Sequence, residues 1–544
     1  MTATIPATTG TPIPRQGGAR VGTKPPSPWE RLTTSRAAAW TSAHAPLFAV
    51  MILQIVLALR LQNTAFEDEA LYLYSGHREI ALWLHHAPTY DSYDLYFSGA
   101  AFIYPVLGAT ADALFGLEGA RTLSMIFMLG ATCLVWSTAR RLYGRPAAGC
   151  AAGLFAVAAP TLYLSRFATY DAMALFLTAL SLWIVVRTAR WPFVAVLLAA
   201  PVSTLAVGTK YAAGLFLLTI ALVAVFAGRY GGKATDDGRW VLRGWWAAAA
   251  RGALLLAAVA GLIYGWLRIL GHTFLTGIEV TTTARPSSTT PIPLVLWEGA
   301  EVGGAVFLLA VVGIIVDARR ARATHQAGGV LPRVLLNCVL AGTALLPVAY
   351  QAHLHTDVSL QKHVGFGLVF AAPIAGVALA ALLRAGAKDP RRLVLAVALC
   401  LGLTGAAMAQ SSKLFASWPN ASGMVTALQT QVRPVTGRIL AEEVEVPRYY
   451  LGNMTVPQQW FGTYSFYYVN KSGQAMTGIP AYQQAIADHY FDLIILRYGP
   501  TAGLDGAIDA PLKSGKAGYT LIAKIPNVDA FGSGYYYIYR VNTT

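Results

Sequence analysis

Charge is what this sequence has least of. Only 12% of its 544 residues are Asp, Glu, Lys or Arg, against 55% hydrophobic, and the mean hydropathy is +0.50. Soluble domains carry about 25% charged residues. The shortage therefore excludes the string of soluble domains that length alone would suggest, and it excludes disorder over most of the chain. Cysteine is scarce too. Cys133, Cys150, Cys338 and Cys400 all fall in apolar stretches, and none has metal-ligand spacing with another, which excludes a disulfide scaffold and leaves them as small core residues. An early apolar core is missing as well: residues 1–44 are rich in Thr, Pro, Gly and Arg. They read as a disordered cytosolic leader rather than a cleavable signal peptide, with the first apolar segment a retained anchor.

Long apolar runs are what the chain has instead. Runs able to span a bilayer, near 20 residues each, fall at 45–62, 121–139, 146–164, 171–188, 192–209, 211–228, 247–270, 297–316, 334–352, 365–383 and 393–410. A less uniform run, 99–117, holds Asp112 and three glycines. The net charge of +15 is a topology signal. The leader and the segments Arg140–Arg145, Arg187–Arg190, Arg229–Arg251, Asp317–Arg333 and Arg384–Arg392 hold 23 of the 41 basic residues but only 5 of the 26 acidic ones. By the positive-inside rule these segments are cytosolic. Parity then makes 99–117 an interfacial or re-entrant helix, with eleven spans, the N-terminus inside and the C-terminus outside. The positive charge marks the inner side and implies no nucleic-acid partner.

Residues 411–544 lose the long runs and gain short apolar strands at Arg438–Ala441, Asp492–Arg497, Tyr519–Ile525 and Tyr535–Val541, with helical spacing over Pro480–Tyr490. The expected organisation is a leader (1–44), a membrane domain (45–410) and a small extracytoplasmic α/β domain (411–544).

The outer loops keep 13 acidic residues against 8 basic ones. Ionisable groups at span ends are costly and are functional candidates by default. The first is Glu67-Asp68-Glu69, where adjacent carboxylates repel and raise the pKa of at least one, although three acids at a span exit also read as a solvated cap. The second is Arg166 to Asp171, an outer turn whose aspartate opens a helix and also reads as a plain N-terminal cap. The third is Thr209-Lys210, placing a cation able to snorkel to headgroups or to hold a phosphate. Lys362 and His363 follow as contacts to an anionic lipid head. The nearby His353, His355 and Asp357 leave a divalent metal open on spacing alone, so no metal ligand or cofactor is assigned.

Asp68, Asp171, Lys210 and Lys362 lie far apart in sequence, and parity puts all four on one face. In this order they resemble the GT-C superfamily of integral-membrane glycosyltransferases, of the protein O-mannosyltransferase and lipid-A aminoarabinose transferase type (glycosyltransferase family 39). The likeness rests on the acidic pair Asp68-Glu69 in the first outer loop, Arg166-Phe167-Ala168-Thr169-Tyr170-Asp171 opening a span, and Thr209-Lys210 at the next outer turn. The segment from Gly116 through Arg121 to Ser124 is similar to the family's Gly-x-x-x-x-Arg-x-x-Ser entry into the second span. It covers residues 45–230 well and the later spans by architecture. One departure is that Tyr96-Phe97-Ser98-Gly99-Ala100-Ala101 stands where the family has a proline-rich segment, which puts the acceptor side in doubt.

The resemblance implies a GT-C type membrane enzyme of the cell membrane that moves a hexose or pentose from a polyprenyl-phosphate donor to a glycan, lipid or protein hydroxyl on the outer face. Asp68 would be the base. Glu69 and Asp171 would be its catalytic companions, and Lys210, Arg166, Lys362 and His363 the donor-phosphate contacts. The rival classes are a lipid-linked-sugar transporter or flippase, for which no internal repeat speaks, and a membrane scaffold presenting the tail.

Overall fold

The computed structural model describes residues 36–230, 244–285, 287–323 and 330–542. Most of the leader (1–35), and parts of two loops expected to be cytosolic (231–243 and 324–329), lie outside them. The chain divides into a unit Met1–Pro46 and a unit Leu47–Thr544, and the second carries both the membrane helices and the C-terminal sheet.

Among the described residues, eight helices are long and apolar enough to cross a membrane: Tyr104–Tyr143, Tyr170–Arg187, Tyr211–Gly228, Trp245–Leu270, Ile292–Ala323, Leu331–His353, Leu360–Gly386 and Pro390–Phe415. The apolar helices Ala43–Ala58 and Phe193–Thr209 are shorter. The expected span 146–164 is two helices, Arg145–Ala156 and Ala159–Leu164. Pro160 stands at the start of the second, where its missing N–H costs no hydrogen bond. At the centre lies Leu360–Gly386, apolar all round and buried on nearly every face, as a helix without a polar side must be. Phe216 stacks on its Phe366 and Phe370, each with ring centroids 5.6 Å apart.

The run 99–117 and the span after it form one helical stretch, Tyr104–Tyr143, broken at Gly116. There φ is +67° and ψ −169°, a conformation open to glycine and strained for any other residue. A side chain at Gly116 would meet nothing within 4 Å, so the backbone angle and not space fixes this residue.

The C-terminal region carries a five-stranded sheet of order β2-β1-β5-β7-β6: β1 (Ile439–Ala441), β2 (Trp460–Phe461), β5 (Leu493–Leu496), β6 (Tyr519–Asp529) and β7 (Gly532–Val541). Strands β1, β2 and β5 run parallel and β7 pairs antiparallel with β5 and β6. Central β5 reads Leu-Ile-Ile-Leu and is buried at every position, as a strand covered on both faces should be. A separate hairpin joins β3 (Tyr467–Val469) to β4 (Ala475–Thr477) and leads into helix Gly478–Ala487. All four strands expected from sequence are present; β2, β3 and β4 are too short to leave a period.

Beneath β5, Asp505 is fully buried against Glu442. Burial, then the bond and charge of Glu442, push its carboxyl up to about 8. Between roughly pH 4 and 8 it therefore keeps a proton that the unfolded chain releases, so its contribution makes stability fall as pH rises through that window. Asp505→Asn keeps a donor toward Glu442 and cannot ionise. Its melting temperature is expected to match wild type near pH 4 and to exceed it increasingly up to pH 8; parallel pH profiles would contradict the assignment.

Candidate active site

Helix Glu67–His85 begins directly after the first apolar segment, and its opening triplet is divided among three tasks. Glu69 is fully buried. Its Oε2 accepts from the Phe66 backbone N–H at 3.0 Å and Arg121 Nη2 at 2.7 Å; its Oε1 accepts from Arg121 Nε at 2.9 Å and the Ala168 N–H at 2.9 Å. One carboxylate thus ties together the helix start, the second span and the 165–170 turn. Every lone pair is engaged, and Glu69 positions its neighbours without facing a cavity. Glu67 lies on the side toward the C-terminal region. Burial, joined by the carboxylates of Glu445, Asp68 and Glu443, holds its carboxyl well above the usual range. The repulsion read in the triplet therefore falls on Glu67.

Asp68 alone of the three faces a cavity, of about 230 Å³. Its Oδ2 accepts from Lys362 Nζ at 2.6 Å. Lys362 stands at the start of the central helix, just after Ser359, whose φ of +65° turns the chain into it; its ammonium also lies 5.3 Å from the Phe167 ring centroid. His363 lines the same cavity and its Nδ1 accepts from Gln351 Nε2 at 2.7 Å.

Lys210 reaches the cavity from an extended residue between two helical segments. Tyr96–Ala101, the segment that departs from the family pattern, clamps this turn. The Ala100 N–H donates to the Gly208 carbonyl and the Tyr211 N–H to the Ser98 carbonyl, both at 2.8 Å. Gly99 makes the approach possible, since a Cβ there would stand 2.1 Å from the Thr209 carbonyl oxygen. Lys210 Nζ pairs with Asp171, whose other oxygen accepts from Thr169 Oγ1 at 3.0 Å. Asp171 is fully buried, one residue inside the helix that Thr169 caps, so it holds Lys210 and is not the cap.

Arg166 stands apart from these residues. Its guanidinium is buried and bonded to Glu118, outside the cavity wall, because the turn Ser165–Thr169 points it back toward the Gly116 break. It is not among the residues that line the cavity with Lys210 and Lys362. The cation that sequence reading missed is Arg285, which lines the cavity from the loop before Ile292–Gly299. Tyr72, Tyr170 and Tyr350 were missed too. A basic residue in a Thr/Ser/Pro-rich outer loop was the available signal for Arg285. His353, His355 and Asp357 do not converge: among the described residues no three His, Cys, Asp or Glu groups gather as metal ligands.

The cavity so built holds three cations, Lys210, Lys362 and Arg285, around one carboxylate, Asp68. It shares Tyr211, Ala212, Thr282, Tyr350 and His363 with a second cavity of about 360 Å³, lined by Leu215, Phe216, Ile263, Leu267, Leu275 and other apolar side chains. An anionic head and a hydrocarbon tail on one molecule would suit this pair of chambers.

Residues 109–260 match the family model described as dolichyl-phosphate-mannose-protein mannosyltransferase. The structure is similar to ArnT from Cupriavidus metallidurans in the apo state, at 15% identity over 93% of this chain and 98% of that one, with a TM-score of 0.57. The fold is that of the GT-C glycosyltransferases. ArnT bound to undecaprenyl phosphate superposes over 92% and 98% of the two chains with a TM-score of 0.55, again at 15% identity. The apo oligosaccharyltransferase of Archaeoglobus fulgidus gives 0.53 over 83% and 69%, at 13% identity. No curated protein sequence matches the chain. The family match takes in Asp171 and Lys210 but not Asp68, Arg285 or Lys362, whose assembly rests on the cavity they share.

Proposed function

We propose that the chain is an inverting membrane glycosyltransferase that moves a sugar from a polyprenyl-phosphate donor to a hydroxyl acceptor on the outer face. The observation that carries this reading is the shared wall between the cation-lined cavity and the apolar one. The phosphate would sit among Lys210, Lys362 and Arg285, and the first prenyl units beside Phe216 and Leu275. The apo ArnT and the undecaprenyl-phosphate complex of ArnT support it at the level of fold.

In this reading the acceptor oxygen attacks the anomeric carbon while its proton passes to the Asp68 carboxylate. The bond from that carbon to the phosphate oxygen breaks, and polyprenyl phosphate leaves with the electron pair. Inversion requires the base on the face of the sugar opposite the leaving group. Cations fixed in advance at the developing charge lower the barrier without reorganising during the step. Lys362 links the two halves. A donor phosphate would compete with Asp68 for the Lys362 ammonium, so donor binding frees the carboxylate for the acceptor. Asp171 keeps Lys210 aimed, and Glu69 holds the helix that carries Asp68.

The apolar cavity supplies the test. Gly214 lines it, and a Cβ there meets nothing within 4 Å, so Gly214→Phe fills the chamber without a backbone clash. KM for a long-chain polyprenyl-phosphate sugar is expected to rise about tenfold or more, with a short-chain analogue little changed. Equal effects on both donors would remove the lipid-chain assignment.

The N-terminus inside and the tail outside complete the proposal, together with the domain limits 45–410 and 411–544. Reporter fusions after residues 235 and 325 are expected to read cytosolic and one after 430 external. A reversal at any of the three defeats the topology.

A further inference from the structure

Beyond the two cavities of the membrane part, the C-terminal region has a groove of about 570 Å³ between the β3–β4 hairpin and helix Gly478–Ala487. Its size lies within the range of small-molecule clefts, about 300–1,000 Å³. Tyr464, Phe466, Tyr467 and Tyr482 face it, with the hydroxyl-bearing Thr463, Ser465 and Thr477 between them. Every lining residue is uncharged. Tyr464 and Tyr467 are 59% and 64% exposed, a large aromatic surface left open on a folded region. Tyr482 is held from behind, its hydroxyl donating to the Gly462 carbonyl at 3.0 Å, and Phe466 packs against Tyr482 with ring centroids 4.9 Å apart. The floor of the groove, Tyr482 and Phe466, is therefore held in place by the fold.

Position gives the groove its second property. Tyr464, at one end, faces the carboxyl of Glu67, the residue beside Asp68. The helix Glu445–Tyr450 fastens the same junction: Arg448 donates to Asp91 at 2.8 Å, and the Tyr449 hydroxyl donates to Asp112 at 2.6 Å. The Tyr464 end of the groove thus lies against the start of the helix that carries Asp68.

We propose that this groove binds a neutral saccharide belonging to the acceptor, so that the enzyme extends molecules that already carry sugar. The inference rests on the transferase reading, which leaves the acceptor open. A pyranose or furanose ring presents C–H groups on one face, which pack on the electron-rich faces of Tyr464 and Tyr467. Its rim of hydroxyls matches the hydroxyls of Thr463, Ser465, Thr477 and the tyrosines, each able to donate or accept. A charged ligand would find no counter-charge in this lining. The Tyr464–Glu67 contact puts the groove beside the helix start that carries the proposed base, which selects the acceptor over the donor, whose phosphate and chain belong on the lysine side.

The test uses the full chain in detergent with tri- to hexasaccharides of mannose, glucose, galactose and arabinose as probes, binding being followed by ligand-observed NMR. Wild type is expected to bind at least one series. Tyr467→Ala is expected to weaken that binding about tenfold or more, and Tyr467→Phe, which keeps the ring, to stay near wild type. Tyr467 is exposed, so an unchanged melting temperature in both variants shows that the fold is intact. Absence of binding to all four series, or equal binding by Tyr467→Ala, overturns the proposal. So does a Tyr467→Ala effect confined to binding of anionic lipid vesicles, which would make the tyrosines a headgroup contact. Saccharide binding without release of lipid phosphate from any donor keeps the groove as a saccharide site and removes the transferase reading. Transfer to a simple alcohol without saccharide binding removes only the groove.

Discussion

Asp68→Asn is expected to lower sugar transfer by about a thousandfold or more, within the range that a positioned general base contributes. Asparagine has the same shape, and the Asp68 side chain is 38% exposed, so insertion and melting temperature should be those of wild type. Donor binding should persist or tighten, because Lys362, which is bonded to Asp68, becomes free for phosphate. A fall in kcat with donor affinity kept is the signature of an interaction needed in the transition state. Reduced donor affinity with unchanged kcat would instead make Asp68 a binding residue. Transfer at the wild-type rate by a folded Asp68→Asn protein would end its role as base.

Arg121→Met is the second large effect, on stability. Arg121 and Glu69 are both fully buried and bidentate, and Arg121 also donates to the carbonyls of Asn63 at 2.8 Å and Thr64 at 3.2 Å. Removing one partner of a buried pair typically costs about 3–5 kcal/mol, because the other charge is left unpaired. Native stabilities are about 5–15 kcal/mol. The variant is expected to show a sharply lower melting temperature in detergent and a poor folded yield. Glu69→Met added to Arg121→Met should recover much of the loss, since an apolar pair of similar volume is often no worse than the ions it replaces. A single Arg121→Met protein that melts with wild type would show that the pair does not hold the site together.

The membrane helices were legible because a lipid-facing or buried span must be apolar for about 20 residues, whatever its neighbours do. The same logic blurred where helices break. Gly116 is one of several glycines in 99–117, and only the structure distinguishes the one at positive φ. Site residues were legible by type more than by direction. Asp68, Lys210, Lys362 and His363 line one cavity. Arg166 is as basic as they are, yet a turn of five residues aims it at Glu118. Glu69 carries a signal that was available: an acid three residues into a helix commonly bonds back to the N-terminal backbone, as it does here to Phe66. Its pairing with Arg121, 52 positions away, has no local trace. The C-terminal groove escaped notice because β3 and β4 span three residues each, too few to alternate visibly.

The central claim is that a polyprenyl-phosphate sugar is cleaved at the carbon–oxygen bond beside its phosphate with inversion at the anomeric carbon. Purified protein incubated with a panel of labelled polyprenyl-phosphate sugars and hydroxyl acceptors measures this directly. The account predicts acceptor-dependent release of polyprenyl phosphate from one donor, and a glycosidic product of the opposite anomeric configuration. Movement of an intact lipid-linked sugar across a vesicle membrane, with no lipid phosphate released from any donor, would contradict it.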